Sequence, residues 1–152
     1  MTKPEENAMK FAAGGAASSK PQPPKAFIID DEKDVCLAVS MVLSKLGLTV
    51  AMYDNAKDAL AALDRGTPKI IFLDVALKQS DAIDVIKGLG ERQYTGLVQL
   101  FSGNPRLLEP IRRIATRYHL AVRQPLSKPL RREAIAQAVA EAGVGAAVAA
   151  AR

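Results

Sequence analysis

Tryptophan is absent from this 152-residue chain, and only four Phe and three Tyr supply aromatic bulk. Any core must therefore be aliphatic. One cysteine excludes an internal disulfide and fits a reducing compartment. Cys36 falls among apolar residues in a helical pattern and reads as a small core side chain. No apolar run is long enough to span a bilayer. The N-terminal stretch MTKPEENAMKFAAGGAASSKPQPPK lacks the continuous apolar centre of a secretion signal. The expectation is a cytoplasmic protein with no membrane association. Basic residues exceed acidic ones, for a formal net charge of +5. They are spread along the chain, and no helix-turn-helix, zinc-finger or aromatic-basic sheet motif accompanies them. Direct nucleic-acid binding is not expected, and the charge points only to acidic partners in general.

What is present suits one domain with tails. Hydrophobic residues make up 49% of the chain, enough for a sizeable core. Residues 1–24 are rich in Ala, Gly, Ser, Pro and Lys and cannot bury enough apolar surface to offset their ordering entropy, so they read as a disordered tail with a proline spacer. Residues 142–152, ending in GVGAAVAAAR, are low in complexity.

Between the tails, strand-like and helix-like segments alternate. AFIID, LTVAMYD, KIIFLD, GLVQLFS and the weaker LAVRQPL read as five strands. The first helix places Val35, Val39, Val42 and Leu46 on one face, with Gly47 as its C-terminal cap. Asn55 caps the second helix, which ends by Gly66 and Pro68. The third turns Ile83, Ile86 and Leu89 inward, and the fifth Ile135, Ala138 and Val139. The fourth, in NPRLLEPIRRIATRYH, either kinks at Pro110 or begins only near Glu109, because proline suits a first turn and not a helix interior. Fully apolar strands between helices imply a parallel sheet covered on both faces. The expected fold is α/β, a five-stranded parallel sheet in the flavodoxin-like order 2-1-3-4-5 with helices on both faces. Ligands of such sheets bind at the carboxyl ends of the strands, beside the switch point between strands 1 and 3.

That edge collects chemistry. Asp30 and Asp31 end strand 1, and Asp74 ends strand 3. At about 5 Å and an effective dielectric of about 20, each pair of carboxylates repels by roughly 3 kcal/mol. Such a cluster either holds protons or holds a cation, and hard oxygen donors suit Mg²⁺. Strand 4 ends in Ser102, and strand 5 leads to Lys128 and Pro129. Acids, a hydroxyl and a lysine at one edge suit a phosphoryl group, with a carboxylate as nucleophile and the cation, lysine and hydroxyl on its oxygens.

IIDDE, IIFLDVAL, LFSG and LSKPL, in that order and at those spacings, resemble the receiver domain of bacterial response regulators over residues 25–141. The resemblance implies that Asp74 accepts phosphate from a sensor kinase's histidine. It also implies that Asp31 binds Mg²⁺ directly, that Asp30 helps through water, and that the backbone carbonyl of Ala76 is a further ligand. Ser102 and Lys128 would contact the phosphoryl oxygens, and a cis bond at Pro129 would aim the lysine inward. No DNA-binding or catalytic domain follows, so the resemblance implies a stand-alone module acting by protein contact, phosphate relay or competition for a kinase's phosphate. Two departures stand out. DVALKQSDAID has Lys78 where the family usually has Pro and Ala82 where it usually has Gly, a form associated with receivers beside phytochrome-type kinases or cyclic-di-GMP enzymes. Pro125 replaces the family's aromatic three residues before the lysine. Arg112, Arg113, Arg117 and Arg131 with Pro125 are then the expected output face, docking a downstream protein or a second copy. The alternatives from other classes are a haloacid-dehalogenase-type magnesium phosphohydrolase and an unphosphorylated scaffold. The first needs a second acid two residues after its nucleophile, where Asp74 has Ala76 and Asp30 has Glu32. His119, the single histidine, ends a helix, where a cation meets the dipole favourably, and is not expected to carry phosphate.

Overall fold

The structure is a computed structural model that describes residues 25–77 and 81–144. The tail at residues 1–24, Lys78 and the end of the chain from residue 145 lie outside the described residues. The elements are β1 (Lys25–Ile29), α1 (Lys33–Lys45), β2 (Thr49–Tyr53), α2 (Ala56–Leu63), β3 (Ile70–Asp74) and α3 (Ala82–Glu91). Then come β4 (Leu97–Ser102), α4 (Leu108–Arg117), β5 (Ala121–Val122), β6 (Leu126–Ser127) and α5 (Arg132–Val139). All strand pairs are parallel, in the order β2-β1-β3-β4-β5, and β6 pairs with β4 beyond β5. The fifth position is thus one strand in two pieces, and the order is the expected 2-1-3-4-5.

Alternation along the strands feeds two cores. Phe27, Ile29, Ile71, Leu73, Val98 and Leu100 face α2, α3 and α4. Ala26, Ile28, Ile70, Phe72 and Phe101 face α1 and α5. Burial on both faces explains why β1 and β3 are apolar through their middles and why β4 is interrupted there only by Gln99.

Some inward faces differ from those expected. In α1 the buried line is Cys36, Val39 and Leu43, while Val35, Val42 and Leu46 are only half-buried against it. Cys36 holds the place nearest the sheet because a small side chain fits where the helix starts at the strand's end. In α3, Val85 joins Ile86 and Leu89 inside, and Ile83 is half-buried at the margin. Ile135, Ala138 and Val139 of α5 are buried as expected.

Helix ends follow local rules. Asn55 Oδ1 accepts the Asp58 N–H at 2.8 Å, capping α2. Gly47 ends α1 with φ 91°; its N–H reaches Ser44 O, and the Leu48 N–H reaches Leu43 O, the paired bonds of a Schellman cap. A 3₁₀ turn, Pro105–Leu107, precedes α4, which begins at Leu108, one residue before the start expected near Glu109. Pro110 therefore lies in the first turn, where its missing N–H has no helical partner to lose.

Strand 5 differs most from expectation. Pro125 has no N–H to give to a ladder, yet the residues after it are paired: Leu126 and Ser127 lie opposite Phe101 and Ser102. The break falls in the middle, at residues 123–125. Side chains fasten that gap. Gln99, fully buried in β4, donates to Gln124 O at 2.9 Å and accepts from Arg123 Nη1 at 3.0 Å. Arg123 Nε is 3.0 Å from Glu141 Oε1, in the turn after α5.

Candidate functional site

Strand ends and one loop build the site at the carboxyl edge of the sheet. Asp30 follows β1, and Asp74 closes β3; each is only 2% exposed. Asp31 is half-buried beside them. One oxygen from each of the three carboxylates lies within 4.8 Å of the others. Backbone donors orient two of them: the Glu32 N–H meets Asp30 Oδ1, and the Ala76 N–H meets Asp74 Oδ1, both at 2.9 Å. Ser102 is fully buried at the end of β4, and its Oγ accepts the Asn104 N–H at 2.9 Å. The β6 pairing carries Lys128 to the same edge, with its N–H on Ser102 O at 2.9 Å. The Lys128–Pro129 bond is cis.

Lys128 Nζ lies 3.2 Å from Asp74 Oδ2 and 3.2 Å from Asp30 Oδ2, and it forms an ion pair with Glu32 Oε1. Its head also sits 5.5 Å from the centre of the Phe101 ring. The contact with Asp30 is an ion contact without hydrogen-bond alignment, because Asp30 Oδ2 accepts no hydrogen bond. Burial pushes the Asp30 carboxyl up to about 6; the Glu32 N–H opposes this, the neighbouring Asp74 reinforces it, and Lys128 opposes it. Burial alone would lower the Lys128 ammonium, but its bonds to Glu32 and Asp74 outweigh that and hold it above its usual value. Burial, and next the charge of Asp30, push the Cys36 thiol up to about 11. Its Sγ donates to Asp30 O at 3.3 Å, as befits a core residue.

The donor set fits a hard divalent cation. All its atoms are oxygens, a buried one (Asp30 Oδ2) lacks a hydrogen bond, and two of the three carboxylates share one lysine. Of the residues expected at the site, Asp30, Asp31, Asp74, Ala76, Ser102, Lys128 and Pro129 converge there. Glu32 was weighed only as an acid-base group of the rival hydrolase, and its pairing with Lys128 was missed. Its place directly after the acid pair was the available signal. Asn104, whose N–H occupies Ser102 Oγ, was missed for want of any signal.

The arginines expected on the output face lie on α4 (Arg112, Arg113 and Arg117) and at the start of α5 (Arg131). α4 packs with α2 and α3 on one side of the sheet, while Arg131 caps α5 on the other. Arg112 bonds Glu109 Oε2 at 3.3 Å, Arg113 lies 3.9 Å from the same oxygen, and Arg117 is exposed. Pro125 lies in the gap between β5 and β6.

Residues 26–140 match the response regulator receiver domain. The chain belongs to that family. Curated relatives include an uncharacterized 14.6 kDa protein of Leptolyngbya boryana, 34% identical over 59 residues, covering 39% of this chain and 45% of that one. Another is the protein-glutamate methylesterase/protein-glutamine glutaminase of Archaeoglobus fulgidus, 31% identical over 81 residues, covering 51% of this chain and 23% of that one. The matched segments thus span less than half the length of these relatives. Among solved structures, a CheY-like receiver domain from Methylobacillus flagellatus aligns with a TM-score of 0.66 at 19% identity, covering 80% of this chain and 99% of that one. Chemotaxis protein CheY4 of Vibrio cholerae aligns with a TM-score of 0.69 at 17% identity, covering 80% and 99%. These likenesses establish the CheY-like fold. Receiver domains interact with histidine kinases, and among the described residues no helix is long and apolar enough to cross a membrane.

Proposed function

We propose that this receiver is a phosphoacceptor of a two-component relay, taking a phosphoryl group on Asp74. The observation that carries this reading is the Asp74 carboxylate itself. It is buried at the end of β3, oriented by the Ala76 N–H, faced by Asp30 and Asp31, and touched by Lys128. In the reaction, an Asp74 oxygen attacks phosphorus, a P–O bond forms, and the P–N bond to the kinase's histidine breaks. The imidazole leaves with the electron pair and takes up a proton. Lys128 places positive charge beside Asp74 Oδ2, and the Ser102 hydroxyl at the end of β4 would donate to a phosphoryl oxygen. Mg²⁺ would be held by Asp30, Asp31, Asp74 and the Ala76 carbonyl, and would supply charge neutralisation for the phosphoryl oxygens.

The reading implies a cytoplasmic protein with a sensor histidine kinase upstream and protein contact or phosphate relay as output. No observation favours the phosphohydrolase: Ala76 offers no side chain for proton transfer, and Glu32 is engaged with Lys128. Incubation with Mg²⁺ and acetyl phosphate tests the reading by intact mass. One phosphate is expected to appear on the wild-type chain, none on Asp74→Asn, and none with a chelator present. Undiminished labelling of Asp74→Asn overturns the assignment.

A further inference from the structure

We propose that Glu32 is a positioning residue that holds Lys128 until a phosphoryl group arrives and competes with that group for it. The inference rests on the phosphoacceptor reading and deepens it. Glu32 stands at the N-cap of α1, yet its side chain makes no capping hydrogen bond. Its carboxylate instead reaches across 96 residues of sequence to Lys128. An ammonium has three N–H donors, and three carboxylates surround this one: Asp30, Asp74 and Glu32. A phosphoryl group on Asp74 adds negative charge beside that ammonium and draws it away from one of the carboxylates that hold it, of which only Asp74 and Glu32 take aligned hydrogen bonds.

Burial decides which. The side chains of Asp30 and Asp74 are 0% and 2% exposed, and Asp30 Oδ2 has no hydrogen bond to fall back on. The Glu32 side chain is 55% exposed, so water replaces the lysine there at little cost. Glu32 is therefore the replaceable partner. It keeps the lysine at the mouth of the site, and its negative charge opposes an anionic donor.

Glu32→Gln keeps the shape, removes the charge and disturbs no cap. At saturating Mg²⁺, established separately for each protein, the variant should gain phosphate from acetyl phosphate roughly three-fold faster at low ionic strength, with the advantage shrinking as salt is added. The gain should appear as a lower donor concentration for half-maximal rate, with the saturating rate little changed. A merely supporting role for Glu32 predicts the opposite sign, because an unsupported lysine would serve the reaction worse. Labelling of Glu32→Gln that is equal, slower or faster independently of salt overturns the inference while leaving the phosphoacceptor reading intact. Absence of label on the wild-type chain defeats that reading and this inference with it.

Discussion

Asp30 shows how one residue carries opposing demands. Its carboxyl is raised from 3.8 to about 6, first by burial. A folded-state value above the unfolded one means that the native protein binds more protons between the two. Its contribution to stability is therefore greatest at acid pH and declines as pH rises from about 4 through about 6. In chelator, thermal melts across that window should show wild type losing stability relative to Asp30→Asn, and a constant difference would refute the linkage. With Mg²⁺ the order should narrow or reverse, because a cation relieves the repulsion only where the carboxylate remains. Asp31→Asn should weaken Mg²⁺ binding through loss of a ligand. Lys128→Ala should leave it intact or strengthen it, since a competing cation is gone, while impairing phosphorylation. Equal loss of metal affinity in both variants would contradict this division of roles. His119 shows a different kind of cost. It follows α4 with φ 64°, its N–H on Thr116 O, in the position that Gly47 fills after α1. A Cβ in that backbone region costs on the order of 1 kcal/mol, so His119→Gly should stabilise the protein by about that amount in denaturant titration. The histidine thus ends its helix as its place in the sequence suggested, and does so by backbone conformation.

At the scale of elements, legibility follows burial. β1, β3 and β4 were plain because a strand covered on both faces is apolar at nearly every residue, and their pairing order followed from chain length and crossover rules. The acids, hydroxyl and lysine were readable because each stands where such a strand ends. Strand 5 was not, because its geometry is set by side chains from elsewhere. Nothing around Gln99 in GLVQLFS announces that it will be fully buried, reach Gln124 O and receive Arg123, or that Glu141 will close the chain of contacts. The inward faces of α1 and α3 kept Val39, Ile86 and Leu89 but took in Cys36, Leu43 and Val85 as well, for a related reason: helical periodicity gives a stripe, and only packing against a particular sheet fixes its centre. The Gln99–Arg123 pair yields a direct test. Arg123→Met strands a buried amide oxygen and should cost about 1–3 kcal/mol, and Gln99→Leu should then cost less than it does in the wild-type chain because the bond the two residues share is already gone. Additive losses in the double variant would show that the two residues stabilise the gap independently.

Across the whole molecule, the site and the basic edge share their supports. Ser102 ends β4 and Lys128 follows β6, and those strands pair at the edge where α4 and α5 flank the sheet from opposite sides. Arg112, Arg113 and Arg117 stand on one flank and Arg131 on the other, so basic residues bracket the split strand. Pro125 has no aromatic side chain, and the gap around it is pinned by Gln99 and Arg123. A phosphoryl group that draws on Lys128 and Ser102 therefore pulls on both pieces of the fifth strand through their pairing with β4. An acidic partner, or a second copy, that grips both flanks would sense a change in their separation. A bias of about 1.4 kcal/mol toward the competent form changes the population ratio tenfold, which is enough for modest regulation. Amide chemical shifts with Mg²⁺ and beryllofluoride as the phosphoryl mimic should change at Asp30, Asp74 and Ser102 and continue through residues 121–127 to Arg112 and Arg131. Shifts confined to the first group, with residues 112–131 unmoved, would remove this edge from the output path.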